Sequence, residues 1–219
     1  MYHLTGAQDQ QPIRGQPAQI FVCDNVRFPH IFSQATPHGP PNRNNTNIVG
    51  HKMITTSVRG HLASQDFDSN HGWSSVAPIA LFDAPIEITY RPDLEPLERM
   101  IKDQARQVHA VILWLDCDRE GEAISDEVRT VCLNAGNPRL NRDKIYRAKF
   151  STLLRPEIER ALQRLGRVNE YFVKAVQARS EHDLRVGAAF TRFQTLLLQK
   201  KFDEFANGSQ GVVSYGPCQ

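Results

Sequence analysis

In Leu115-Asp116-Cys117-Asp118-Arg119-Glu120-Gly121-Glu122, four carboxylates recur at every second position. If the backbone stayed extended, all four would project to one side, and like charges that close repel unless a cation sits among them. Carboxylate oxygens are hard donors, and two or three beside open water positions suit Mg2+, which keeps part of its hydration shell and often binds phosphate as well. Zinc is the poorer match. The same acids also suit the first turn of a helix, where negative charge meets the positive end of the helix dipole, so spacing alone leaves both readings open.

Two further groups have the right chemistry for phosphate. Arg59-Gly60-His61 closes a β-prone stretch at Met53–Val58, offering a backbone turn and an imidazole, although a single histidine is as readily a structural hydrogen-bonder. Arg179 and Asp183 stand one helical turn apart on a stripe with Phe172, Ala175 and Val176, so they can act jointly. There an arginine can grip a phosphate through two parallel hydrogen bonds, or the pair can hold two helices together from inside.

These residues need a scaffold that brings strand ends together. The apolar run Val108–Leu115 predicts a strand buried on both faces, as at the centre of a parallel sheet, with the acids at its carboxyl end, where ligands bind in such sheets. Helical spacing (Leu94, Leu97, Ile101, Ala105) predicts a helix before it, and Ala123–Cys132 a helix after it. Lys144–Phe150 alternates like a strand, and Pro156–Leu165 predicts a helix closed by Gly166. Ile20–Cys23 predicts a short strand, and residues 63–90 an ordered excursion. After Gly166 the pattern turns almost wholly helical, with Gly187 as a close approach or a break.

The expected fold class is α/β: a Rossmann-like, mostly parallel sheet over 48–165, followed by the start of a helical domain over 166–219. Residues 1–47, polar and rich in Gln and Pro with a Pro/Asn loop at 37–47, are expected to be disordered or divergent. No GxGxxG string is present, which argues against a nicotinamide enzyme. The net charge of +2 hides an asymmetry: residues 142–201 hold 14 Lys and Arg against 6 Asp and Glu. A basic region following an acidic site suits a protein that holds a polyanion beside a metal, and equally an ordinary solvated helical surface. Cys23, Cys117, Cys132 and Cys218 are too scattered for a zinc motif, so reduced thiols in an intracellular protein are expected. The longest apolar run falls well short of the ~20 residues of a membrane helix, so no membrane partner is expected.

Three strings taken together resemble one family: Thr56-Ser-Val-Arg59-Gly60-His61-Leu62, then Leu115–Glu122, then Ala178-Arg179-Ser-Glu-His-Asp183-Leu-Arg185-Val-Gly187-Ala-Ala-Phe-Thr-Arg192-Phe193-Gln194. They look like the amino-terminal part of a type IA DNA topoisomerase of the topoisomerase III class. The Asp-Cys-Asp wording and the closing Ser214-Tyr-Gly-Pro-Cys-Gln219 look nearest to the eukaryotic beta branch. The acidic string alone fits any Toprim domain, including those of primases and certain nucleases; the third string narrows the resemblance to type IA.

The resemblance implies a Toprim fold holding Mg2+ through Asp116, Asp118 and Glu120, with His61, Arg179 and Asp183 positioning the scissile phosphate. Arg185 and Arg192 are expected to contact DNA with them. It implies cleavage of one strand by a tyrosine, a 5′-phosphotyrosine, strand passage and resealing. The partner implied is single-stranded DNA, with RNA as an alternative; the implied location is the nucleus, and protein partners are unassigned. Two departures stand out. The Ala-Glu-Lys-Pro string that opens the family, with its catalytic Glu and Lys, is absent, and Ile20-Phe-Val-Cys-Asp24 is its nearest counterpart. The nucleophilic tyrosine would lie in a domain following Gln219; Tyr215 belongs to the Ser-Tyr-Gly motif. The expectation is therefore a fragment, inactive by itself, of a longer topoisomerase. The alternatives are a stand-alone Toprim nuclease or primase-like enzyme, and a non-catalytic protein that binds single-stranded nucleic acid.

Overall fold

The computed structural model describes residues 18, 20–26, 51–73, 75–202 and 211–216. Apart from 18 and 20–26, the tail expected over 1–47 lies outside the described residues, as does Cys218. Along the chain run β1 (Phe21–Val26), β2 (His51–Thr55), β3 (Ala63–Phe67), β4 (Ile86–Tyr90), α1 (Glu95–Ala105), β5 (Val111–Leu113), α2 (Arg119–Leu133), β6 (Ile145–Arg147), α3 (Arg155–Gln163) and α4 (Glu170–Lys201). This is an α/β chain, as the sequence predicts. The pairing is mixed, because β5–β6 is parallel whereas β1–β2 and β3–β4 are antiparallel. Among the described residues the parallel character expected of the sheet is carried by β5 and β6.

Two compact units divide the chain, one formed by 1–62 with 93–169 and the other by 63–92 with 170–219. In the first, α1 begins with Pro96 in its opening turn and places Leu97, Met100, Ile101 and Ala105 inward. Full burial of a side chain such as Leu97 stabilises by about 2 kcal/mol. On its outer side Glu98 pairs with Lys102 at 2.6 Å, one turn on. The buried amide of Asn137 donates to the carbonyls of Ala105 and Val108, both at 2.8 Å, which joins the end of α1 to the approach to β5. Only Val111–Leu113 of the apolar run forms a ladder, in register with Ile145–Arg147. Beyond β5, Trp114 packs against Phe150 with ring centroids 6.0 Å apart.

In the second unit the excursion at 63–90 proves to be built on the antiparallel pair β3–β4, in which Ala63 faces Tyr90 and Phe67 faces Ile86. The segment after β3 packs on α4: Leu81, Ala84 and Ala189 form a buried cluster, with Phe67, Val76 and Ala188 against it. Gly187 does not break α4. A Cβ there would come within 3.6 Å of the Tyr215 carbonyl, an ordinary contact, so the residue marks where a second stretch of chain runs beside the helix.

The described thiols differ in environment. Cys132 is buried in α2 and its pKa is pushed up to about 12 by that burial, whereas Cys117 is exposed. Thiolate is the reactive form. Brief alkylation of the native protein followed by peptide mass mapping is therefore expected to modify Cys117 and to spare Cys132 until denaturant is added.

Candidate functional site

The carboxyl end of β5 is held by a buried arginine. Arg147, at the end of the neighbouring strand β6, is 0% exposed. Its Nη1 donates to the carbonyls of Leu115 at 3.0 Å and Ala148 at 2.7 Å, and its Nη2 to that of Asp116 at 2.5 Å. Its Nε donates to Glu122 Oε1 at 3.1 Å. The other Glu122 oxygen accepts from the Asn169 amide at 2.7 Å, and Glu122 is itself 2% exposed. Burying an ion costs several kcal/mol unless its partners are well placed; here both charges are met by several hydrogen bonds.

The row of four acids on one side does not form. Asp118 caps α2, its Oδ1 accepting from the Gly121 amide at 2.7 Å, so the helix begins at Arg119. Helical geometry then turns Glu122 inward to Arg147 and leaves Asp116 and Asp118 exposed. This early start depends on Gly121. A Cβ at that position would lie 2.0 Å from the Asp116 carbonyl oxygen, inside any contact that real atoms make. The helix-capping role and the exposed acids therefore coexist on the same loop.

His61 lies in the same unit. Gly60 takes a left-handed backbone, φ 67°, just before it. The ring's Nδ1 is 2.7 Å from Glu127 Oε1 on α2, and its Nε2 is 3.3 Å from Glu120 Oε2. Glu127 Oε2 also accepts the Leu62 amide at 2.7 Å. Burial lowers the His61 pKa, but the hydrogen bond and charge of Glu127, followed by the charge and hydrogen bond of Glu120, outweigh it and raise it above 6.5.

No three His, Cys, Asp or Glu side chains form a closed metal cage among the described residues. The donor chemistry still fits Mg2+, which binds through one or two carboxylates and fills its other positions with water and phosphate oxygens. Asp116 and Asp118 offer such oxygens to solvent, and the Asp118 cap engages only Oδ1. Glu120, half-exposed, is shared with His61.

The remaining sequence-predicted residues lie on α4, in the other unit. Arg179 Nε and Asp183 Oδ2 are 3.6 Å apart, with the Arg179 side chain 73% exposed, so the pair forms on the surface and not between buried helices. Arg185 and Arg192, expected to meet DNA, point into the protein instead. Arg185 donates to the carbonyls of Leu81 and Ala84 at 2.8 and 2.9 Å, and Arg192 to those of His71 and Gly72, both at 2.8 Å. The Arg192 guanidinium also lies 5.6 Å from the Trp73 ring centroid. Both arginines hold the 63–92 segment on α4, a need invisible from the helix's own spacing. Tyr215 stacks on Phe190 at 5.0 Å, and its amide donates to Thr191 Oγ1 at 2.8 Å.

Comparison with known proteins gives this geometry a context. The Toprim domain model matches residues 33–153. The chain is 43% identical over 191 residues to "DNA topoisomerase 3" of Dictyostelium discoideum, which covers 77% of this chain and 23% of that protein. It is 40% identical over 168 residues to human "DNA topoisomerase 3-alpha", covering 76% and 16%. It is 39% identical over 165 residues to Drosophila melanogaster "DNA topoisomerase 3-beta", covering 75% and 18%. The alpha and beta names match almost equally, so these identities do not favour the beta branch. The chain spans less than a quarter of the length of these relatives.

Two measurements test the site's construction. Arg147→Met strands the buried Glu122 charge and should lower stability by about 3–5 kcal/mol, whereas adding Glu122→Leu should recover much of that loss; urea unfolding curves of both variants check it. For His61, the raised pKa means that its contribution to stability is full below about 6.5 and is lost as pH rises through the folded-state value. NMR titration of the ring should give a midpoint above 6.5 that falls in Glu127→Gln.

Proposed function

Since a Toprim domain match covers more than half of its residues, the chain belongs to the Toprim family, and from that premise we propose that it is the Toprim-bearing part of a type IA topoisomerase of the topoisomerase III class. The observation that supports this reading most is the pairing of exposed Asp116 and Asp118 with a His61 held beside Glu120, in a chain 40–43% identical to relatives named DNA topoisomerase 3. The whole protein acts, on this reading, on single-stranded DNA in the nucleus, with RNA as an alternative substrate.

Asp116, Asp118 and Glu120 are the residues that would hold Mg2+. When bound, the ion supplies positive charge to phosphate oxygens as the bond between strand and nucleophile forms or breaks. His61 donates a hydrogen bond from Nε2 to a phosphate oxygen, which fixes the phosphodiester for in-line attack. Arg179, poised by Asp183 and exposed, contacts phosphate through its guanidinium. Cleavage itself consists of attack by a tyrosine hydroxyl on a strand phosphorus, with the 3′-hydroxyl leaving and the phosphate remaining on the tyrosine. No tyrosine of this sequence is assigned that role. Arg185 and Arg192 are assigned to holding the fold, because Nη1 of each donates to two backbone carbonyls and the other Arg185 nitrogens face Glu181.

Calorimetric titration of Mg2+ into the 219-residue chain, with a single-stranded oligonucleotide present, tests the reading. Asp116→Asn and Asp118→Asn should each weaken the metal by at least about tenfold without changing the unfolding curve. Unchanged metal affinity in both variants would contradict the assignment. Mg2+-dependent nicking of DNA by this chain alone would favour the Toprim nuclease instead.

A further inference from the structure

We propose that Glu127 is a positioning residue that dictates which ring nitrogen of His61 is presented to a phosphate oxygen; the role of phosphate in this statement rests on the function proposed above. Glu127 lies in the third turn of α2, remote in sequence from His61, and its side chain is 21% exposed. Both its oxygens are engaged on the same short stretch: Oε1 faces His61 Nδ1 at 2.7 Å, and Oε2 accepts the Leu62 amide at 2.7 Å.

An ionised carboxylate only accepts hydrogen bonds. Nδ1 must therefore carry a proton, and Nε2 is left as the nitrogen directed at the acidic loop. Glu120 and a phosphate oxygen also only accept, so the ring meets either of them with a proton on each nitrogen, and Glu127 fixes which nitrogen keeps its proton when the ring is neutral. The Leu62 amide prevents the carboxylate from turning away, and the left-handed Gly60 sets the path of the chain into the ring. In the structure Nε2 meets Glu120 at the longer distance of 3.3 Å. That is the weaker of the two ring contacts, and the one an incoming phosphate oxygen would replace. Glu127 thus acts on substrate only through His61, as the outer carboxylates of histidine-containing sites do when they fix a ring's tautomer and orientation.

Replacement by glutamine separates this role from simple packing. The glutamine amide has the same shape but a single acceptor oxygen. It can satisfy the Leu62 amide or the His61 Nδ1 proton, and not both. If its NH2 group is turned to Nδ1, the ring proton must move to Nε2. Glu127→Asp keeps two acceptors on a shorter arm.

The test is the nitrogen spectrum of the 15N-labelled imidazole at alkaline pH, where the ring is neutral, recorded on the 219-residue chain. The wild type is expected to carry its proton on Nδ1, Glu127→Gln to lose that preference, and Glu127→Asp to keep it. A wild-type ring protonated on Nε2, or a Glu127→Gln spectrum identical to wild type, would overturn the proposal even if Glu127→Gln proved too unstable for further study. Addition of a single-stranded oligonucleotide at mildly acidic pH, where both ring nitrogens carry protons and Nε2 can donate to phosphate, separates the two readings. A shift confined to Nε2, with about tenfold weaker binding in Glu127→Gln, supports both. A ring fixed on Nδ1 that ignores the oligonucleotide would leave the tautomer control intact and remove the assigned phosphate contact.

Discussion

A fully buried guanidinium governs the geometry of the acidic loop. Arg147 bonds to four carbonyls, those of Leu113, Leu115, Asp116 and Ala148, at and beyond the ends of β5 and β6, and to one carboxylate, Glu122, that faces it from α2. An arginine in that position cannot lose its proton, so every neighbouring acceptor must stay in place or leave a charge unpaired in the interior. The strand end, the helix start and the residue before α4 are consequently tied to one charge. Gly121 completes the arrangement by letting the helix backbone come against Asp116, where any side chain would collide.

This constraint explains how acids of one short string take different parts. Glu122 is consumed by the interior, Asp118 divides itself between the helix cap and solvent, and Asp116 is exposed on a backbone whose carbonyl is pinned. Glu120 faces an imidazole that a second carboxylate supports from behind. Negative charge at a helix N-terminus is favourable, which offsets part of the repulsion among these acids before any cation arrives. A loop built on such ties keeps exposed carboxylates over a rigid floor, the kind of support a preorganised site needs.

Much of the frame was legible in the residues. The apolar run, its abrupt acidic end and the helical spacing on either side place β5, α1 and α2 within a few residues, and the three strings point to the family that the comparisons support. What spacing could not disclose were partners distant in sequence. Arg147 reads as one more cation in a basic region and Glu127 as one more surface acid, until the fold brings them to Asp116 and His61. The extended row of acids failed for a local reason: a capping aspartate three residues before a glycine starts a helix sooner than the apolar period suggests. Arg185 and Arg192 were expected at DNA from the family resemblance, and nothing in the helix's own spacing discloses the carbonyls between residues 71 and 84 that they also grip.

The central claim, that the pinned loop after β5 presents Asp116 and Asp118 to a divalent ion, is tested most directly by adding Mn2+ in place of Mg2+ and recording paramagnetic broadening of amide signals. Broadening centred on residues 116–120 in the wild type, and dispersed in a folded Gly121→Ala variant whose Asp116 has been displaced, is the expected result. Broadening that centres elsewhere, or that is the same in both proteins, would contradict it.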